Sequence, residues 1–570
     1  MKRFIVYITA IILLFMIIGT PQQANATSEF SDVSENHWAY KQIMFLTDQG
    51  VINGFADGKF RPTETITRKQ AAIMMSYALG LDLENRTEIK FADLKPNEIG
   101  YKEVVAAVEE GLLSGTTYFY PNEPLTREEM AKCLVIAYEL NSADQYKFSD
   151  VPVSSPFYTY ISKLAASKIT TGYSDGTFRP KEAVNRAQFS MFLARVYNEP
   201  HQFEIMESGN KVTQFSSRDE AIEYAVSNPG TSIRPASNHL ISYPNSFISP
   251  EESNIKAGAL IYNGYEIDAK YGSTDRFTPE FFKPYVAFEK DGSYVDTMFD
   301  TFIILGRKYP DGEFPETKQN MANYKDWKWY IDRTFSENGA ISNLNKAVAQ
   351  VQNVDKVKVY VAIPYPKDEG VIEDLNGNGF VADSFNRFQM IKWYISEVNN
   401  EFQNKKFEHI QFEGFYWLNE TVISKEDEQL VNSTAYAVQN TGKKFIYSPH
   451  SRSTNLEKWD SYGLDGAYLQ MNAHKAIHNE FETKRLLHKG YLNALINGTG
   501  INIEIEDSTL DIELVFQNLR NYLEVGRLYG AEDKSIIMYQ GTEMVHRLAT
   551  SPREDYKKMY EDLYKFLRGK

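Results

Sequence analysis

Apolar and polar positions follow four different patterns along the chain. Residues 4–19 form an almost unbroken apolar run behind Lys2 and Arg3. Between residues 28 and 200, apolar positions recur at helical spacing in short stretches broken by turns. Residues 201–250 hold brief β-like stretches at 211–214 and 231–234 around a serine-capped helical stretch, which predicts a small αβ spacer. Turn-rich Ser242-Tyr-Pro-Asn and Ser249-Pro250 close it. From residue 256 to 570, apolar strands are predicted at 258–263, 299–305, 357–363, 409–417, 444–449, 465–471, 501–506 and 535–540. Helical stretches, such as 341–352, 384–403, 426–440 and 511–529, lie between most of them. Eight strands with helical crossovers are the count of a (β/α)8 barrel. An open doubly wound sheet is the alternative, weakened by the lack of a glycine-rich phosphate loop after the first strand.

The seventh strand carries the most information. Ile501-Asn-Ile-Glu-Ile-Glu alternates strictly, whereas a parallel strand covered by helices normally reads apolar on both faces. In a barrel Ile501, Ile503 and Ile505 would face the helices, so Asn502, Glu504 and Glu506 would point into the lumen. A half-exposed edge strand is the other way to place them. A lumenal carboxylate is costly unless paired or near water, and Glu506 lies nearest the C-terminal mouth, where barrel enzymes work. The fourth strand, Gln411-Phe-Glu-Gly-Phe-Tyr-Trp-Leu-Asn-Glu, puts Glu413, Phe415 and Trp417 on one face, read as lumenal, and ends in Asn419-Glu420. Other predicted strand ends are polar or aromatic (Asn263, Tyr265, Arg307, Tyr365, His450, Gln470, Asn472 and Gln540), which suits a saccharide cleft. An Asn-Glu pair beyond strand four plus a Glu ending strand seven resembles the large clan of retaining glycoside hydrolases built on this barrel. The resemblance implies Glu420 as general acid/base, Glu506 as nucleophile with Glu504 as its rival, and Asn419 on the sugar 2-hydroxyl. It further implies a substrate-binding shell that includes Trp417, Glu413, Tyr365, His450, Asn472 and Gln540. Retention needs the carboxyls about 5–5.5 Å apart and inversion roughly 6.5–9.5 Å.

The N-terminal repeats add a second function. Phe30-Ser-Asp-Val, Phe91-Ala-Asp-Leu and Phe148-Ser-Asp-Val open three similar units, at 28–87, 88–145 and 146–200. Units one and three share the turns Gly54-Phe-Ala-Asp-Gly-Lys-Phe-Arg-Pro and Gly172-Tyr-Ser-Asp-Gly-Thr-Phe-Arg-Pro. Thr67-Arg68, Thr126-Arg127 and Asn185-Arg186 then start helices, each with Glu or Gln at the capping-box position. This pattern resembles the S-layer homology family. The resemblance implies an all-α three-fold bundle whose grooves hold pyruvylated secondary cell-wall polysaccharide, with Arg68, Arg127 and Arg186 as carboxylate ligands. Asp57, Gly58, Asp175 and Gly176 would shape the groove turns. Unit two reads Ser114-Gly-Thr-Thr-Tyr-Phe-Tyr-Pro, without Asp-Gly, so Arg127 is expected to be the weakest of the three. The C-terminal half is similar to an uncharacterised family of domains that often follows such repeats.

Composition narrows the rest. Lys2, Arg3, the apolar run and Ala24-Asn-Ala26 read as a signal peptide cleaved after residue 26, leaving no transmembrane anchor. A net charge of −15 argues against nucleic acid as a partner. The lone Cys133 sits in an apolar helical stretch and cannot form an internal disulfide, which suits the surface of a Gram-positive cell. Asp374-Leu-Asn-Gly-Asn-Gly opens like a calcium loop, but Phe385 stands where an EF-hand needs Glu, and the histidines show no zinc spacing. Neither a metal nor a cofactor is expected. Two readings of the barrel remain: a glycoside hydrolase acting on wall or surface polysaccharide, or a noncatalytic glycan-binding or layer-building protein.

Overall fold

The computed structural model describes residues 30–570 apart from 141–145, 198–201, 238–243, 266–276, 315–321, 506–511 and positions 49, 85, 168, 216, 423, 452, 454, 455 and 542. The segment read as a signal peptide, residues 1–26, lies outside the described residues. Two compact units divide at residues 201 and 202. No helix among the described residues is long and apolar enough to cross a membrane.

The first unit is helical: α1 (Tyr40–Asp48), α2 (Arg68–Ala78), α3 (Tyr101–Glu109), α4 (Arg127–Ala137), α5 (Tyr158–Ala166) and α6 (Arg186–Tyr197). Thr67 and Thr126 cap α2 and α4 through capping boxes with Gln70 and Glu129, and Asn185 does the same with Gln188. The aspartates that open each repeat hold its turn. Asp32 accepts from the N–H groups of Phe60 and Arg61, Asp93 from Phe119 and Tyr120, and Asp150 from Phe178 and Arg179, all at 2.7–2.9 Å. Short bridges interlock the repeats in a cycle, Thr67 with Pro124, Thr126 with Ala183 and Thr65 with Asn185. Cys133 is buried in the apolar core of this unit.

The second unit begins with β1 (Phe203–Glu207), β2 (Asn210–Phe215), α7 (Arg218–Ser227) and β3 (Thr231–Pro235), a three-stranded antiparallel sheet in the order β2-β1-β3 with one helix. This module is no free spacer. Its Phe203, Ile205, Ile222 and Ile233 join the apolar cluster of the barrel, and Arg218 donates to Asn493 at 3.0 Å.

The barrel strands are β4 (Ala257–Tyr262), β5 (Thr301–Leu305), β6 (Val357–Ile363), β7 (Ile410–Trp417), β8 (Lys444–Tyr447), β9 (Gly466–Gln470), β10 (Gly500–Glu504) and β11 (Ile536–Tyr539). All pair in parallel, and β11 closes on β4, which excludes the open sheet. The crossover and outer helices include α8 (Pro279–Val286), α9 (Tyr324–Phe335), α10 (Ala340–Gln350), α11 (Ser384–Lys405), α12 (Lys425–Gln439), α13 (Glu480–Asn497), α14 (Ile512–Leu528), α15 (Met544–Thr550) and α16 (Glu554–Arg568). Inward side chains such as Leu260, Ile303, Tyr360, Tyr416, Ile446, Tyr468 and Ile537 fill the lumen as a cluster separate from the strand–helix layer. Ile501 and Ile503 on β10, and Ile505 just after it, pack outward, as the alternation predicts.

Strand β7 differs from its sequence reading. Phe412 pairs with Val359 and Gly414 with Tyr360, so Glu413 is the extra residue of a bulge. Tyr416 therefore faces the lumen, while Phe415 and Trp417 join the outer cluster. Gly414 is required beside the bulge, because a Cβ there would collide with the Lys444 carbonyl.

Candidate functional site

The C-terminal ends of the barrel strands open onto a cavity of about 270 Å³, at the small end of ligand sites. Its polar wall comes from Arg307 after β5, Asn419 and Glu420 after β7, His450 after β8, Gln470 and Asn472 at β9, and Asn502 and Glu504 on β10. Tyr262, Tyr416 and Tyr539 supply aromatic surface, and His474 and Lys475 reach in from the short turn Ala473–Ala476.

Glu504 is the last residue of its strand and only 4% exposed. Its Oε2 accepts from the Asn472 N–H at 2.5 Å, and Oε1 lies 3.8 Å from His474 Nδ1. Asn472 sits in the left-handed region, at φ 56°, where Asn is better tolerated than most residues. Burial, above all, pushes the Glu504 carboxyl up to about 7, and the charge of Glu420 adds to it against the opposing pull of the Asn472 N–H and Lys475. Glu420 is exposed at the mouth, with its carbonyl held by the His450 N–H at 3.1 Å. Lys475 Nζ lies 3.2 Å from His450 Nε2. An ammonium can only donate, so this contact requires His450 to carry its ring proton on Nδ1. Burial lowers the Arg307 guanidinium, yet the negative potential of Tyr262, Glu420, Glu313 and Tyr539 leaves it above its ordinary value. The floor is fixed by amides. Asn502 donates to Ser448 Oγ at 2.9 Å and accepts from the Tyr539 N–H at 3.1 Å, while Gln470 donates to the Ser448 carbonyl at 3.0 Å. Polar groups with satisfied partners of this kind hold a cleft in one shape.

The structure gathers Asn419, Glu420, His450, Asn472 and Glu504 and leaves other expected residues out. Glu506 lies outside the described residues. Trp417 is 1% exposed, packed edge-on against Tyr365 and Phe445 in the outer layer. Tyr365 is buried there too and donates to Asp427 at 2.5 Å. Gln540 is buried outside the cavity lining and accepts from the Tyr285 hydroxyl at 2.9 Å. Glu413 sits in the N-terminal half of β7, away from the mouth, where Asn254 and Gln411 donate to its carboxylate at 2.7 and 2.8 Å. Sequence reasoning did not single out His474, Lys475, Tyr262 or Tyr539. The signal for the tyrosines was available: Tyr262 follows the inward Leu260, and Tyr539 the inward Ile537, by two residues. Asp374 accepts from the backbone of Asn376 and Asn378, both at 2.8 Å, as the turn of a β-hairpin.

In the helical unit each repeat arginine is buried and donates from Nε to the turn of the next repeat. Arg68 bonds Phe119 O, Arg127 bonds Phe178 O and Arg186 bonds Phe60 O, at 2.7–2.9 Å. The turn that lacks Asp-Gly therefore surrounds Arg68, not Arg127. Asp57 and Asp175 pair with Arg61 and Arg179, each at 3.2 Å, and fold their own turns. Gly58 and Gly176 hold φ of 74° and 78°, conformations that L-residues avoid. Burial pulls the Arg127 guanidinium down and brings that of Arg186 to about 10.

Comparison with known proteins gives two family matches. The family described as "Domain of unknown function (DUF4855)" matches residues 257–565. The S-layer homology domain matches residues 29–72, 90–131 and 147–190. An endoglucanase of Bacillus sp. (strain KSM-635) is 33% identical over 200 residues, 32% of this chain and 21% of that protein. The surface-layer 125 kDa protein of Lysinibacillus sphaericus is 33% identical over 175 residues, covering 30% and 14%. The S-layer protein sap of Bacillus anthracis is 33% identical over 178 residues, covering 30% and 22%. The chain thus spans between a seventh and about a fifth of the length of these relatives. Among solved structures, a GH5-4 broad specificity endoglucanase from Clostridium longisporum aligns at 11% identity and a TM-score of 0.32, covering 57% of this chain and all of that one. That likeness assigns no activity.

Proposed function

We propose that this chain, which belongs to the DUF4855 family and carries three S-layer homology repeats at a bacterial cell surface, is a wall-anchored glycoside hydrolase acting on wall or surface polysaccharide. The observation that carries the reading is the convergence of Glu420 and Glu504, from the ends of the fourth and seventh barrel strands, on one cavity at the C-terminal mouth. Glu420, exposed where a leaving group departs, donates a proton to the glycosidic oxygen. Glu504, once ionised, attacks the anomeric carbon as the bond to that oxygen breaks. Water then displaces the glycosyl ester while Glu420 takes its proton, which restores both groups with retention. Asn419 is the group for the sugar 2-hydroxyl, and Tyr262 and Tyr539 are apolar faces for the ring.

The interlocked repeats support a three-fold bundle that holds pyruvylated secondary cell-wall polysaccharide without a covalent bond. The test of the enzyme is glycan release from fractionated wall polysaccharide by wild type, E420Q and E504Q. Release by wild type alone is expected, with binding kept by both variants. Binding without release by the wild type would leave the noncatalytic reading standing.

A further inference from the structure

The three repeat arginines occupy equivalent places, but among the described residues the chain puts a carboxylate on only one of them. Nη1 of Arg68 meets the carboxylate of Glu129, and Nη2 donates to Ser114 O at 2.6 Å. Arg127 is 4% exposed, with its guanidinium 4.7 Å from the ring centre of Phe178 and 5.0 Å from that of Tyr173. Arg186 is 3% exposed, 4.4 Å from Phe60 and 4.8 Å from Phe55, and donates to Asn53 O at 3.1 Å. Among the described residues neither has a carboxylate within ion-pair distance. One position makes the difference. The capping-box residue is Gln70 in the first repeat and Gln188 in the third, but Glu129 in the second. Glu129 accepts from the Thr126 N–H through Oε2 and turns Oε1 onto Arg68. A guanidinium buried without a counter-ion is costly, and the first place displays the group that relieves it.

We propose that the helical unit presents two seats for a ligand carboxylate, at Arg127 and Arg186, and that Glu129 closes the third by occupying Arg68. The proposal rests on the anchoring function given above and sets its valency. Two seats on one rigid unit hold an insoluble polymer far more tightly than either alone, because the second contact forms at high local concentration. It also reverses the order expected from the repeat sequences, since Arg127 becomes an open seat and Arg68 the closed one.

Isothermal titration of the full chain with soluble pyruvylated fragments of wall polysaccharide tests this, with the same fragments stripped of pyruvate as control. The expected stoichiometry is two for wild type, one for R127A or R186A, and three for E129Q. Gln70 and Gln188 show that Gln caps these helices, so E129Q reads the third seat even where an arginine variant fails to fold. Three sites in wild type, or an unchanged two in E129Q, would overturn the proposal. No binding by wild type, or equal binding after pyruvate removal, would defeat the anchoring reading itself.

Discussion

Glu504→Gln separates the cost of a buried acid from its chemistry. The Glu504 carboxyl ionises near 4.5 when unfolded and at about 7 in the cleft. At about 1.4 kcal/mol per tenfold change in proton affinity, the ionised group costs the fold at most roughly 3.5 kcal/mol. The sign follows from the raised folded value. Below pH 4.5 both states are protonated and the favourable contribution is complete; it is lost as pH rises towards and through 7. Gln keeps the size and an acceptor for the Asn472 N–H but carries no charge at any pH. E504Q should therefore melt close to wild type at pH 4.5 and several degrees above it at pH 8, at about 2 °C per kcal/mol for a domain of this size. Calorimetric scans at matched rates give the difference directly. A gap that does not widen between the two pH values would refute the perturbed acid and remove the reason to place a reacting carboxyl there. A gain in stability together with lost glycan release is the signature of a residue kept for function.

Two further outcomes follow from the cleft and its surroundings. With Glu504 as nucleophile, the rising acid limb of kcat/KM for a released glycan should be set by a group ionising at about 7, and the falling limb by loss of the proton that Glu420 donates; a falling limb at about 7 would exchange the roles of Glu504 and Glu420. Trp417→Ala should cost about 3–5 kcal/mol in denaturant unfolding and leave glycan affinity of the folded protein unchanged, since Trp417 packs between strand and helix; a selective loss of affinity would return it to the site.

The barrel was legible because its strands are short, apolar and mostly separated by helical stretches, and each predicted strand overlaps an observed one. Strand β10 was legible down to its faces, because Ile501, Ile503 and Ile505 leave no other outward set. Strand β7 was not. Period-two reasoning assumes an unbroken pleat, and the bulge at Glu413 inserts one residue, so Phe412 and Phe415 both face outward although they are three apart. That shift moved Trp417 and Glu413 out of the site. Tyr365 and Gln540 failed for another reason: a polar strand end can be satisfied by the helix layer, as Asp427 and Tyr285 do here. Lys475 and His474 were missed because they belong to a turn, whose direction no periodicity sets. In the repeats the motif arginines were plain in the sequence, but which turn each one meets depends on the cyclic interlock, a long-range fact.

Glu129 and Glu504 invite the same isosteric change and should answer it in opposite directions. The positive charge near Glu504 does not offset its burial, so removing the carboxylate stabilises the barrel above pH 7. Glu129 neutralises Arg68, and both side chains of that pair are largely shielded, at 22% and 9% exposed. Removing one member of a buried pair leaves the other without compensation, so E129Q should lower the stability of the helical unit by roughly 1–3 kcal/mol. The lost stability is recoverable if the vacated place accepts a ligand carboxylate, since any species that binds only the folded state stabilises it by mass action. Saturating pyruvylated fragments should therefore raise the melting temperature of E129Q by more than that of wild type, with depyruvylated fragments shifting neither. Equal shifts for both proteins would mean that the substituted amide leaves the Arg68 place unfit for ligand, and that Glu129 belongs to the cap alone.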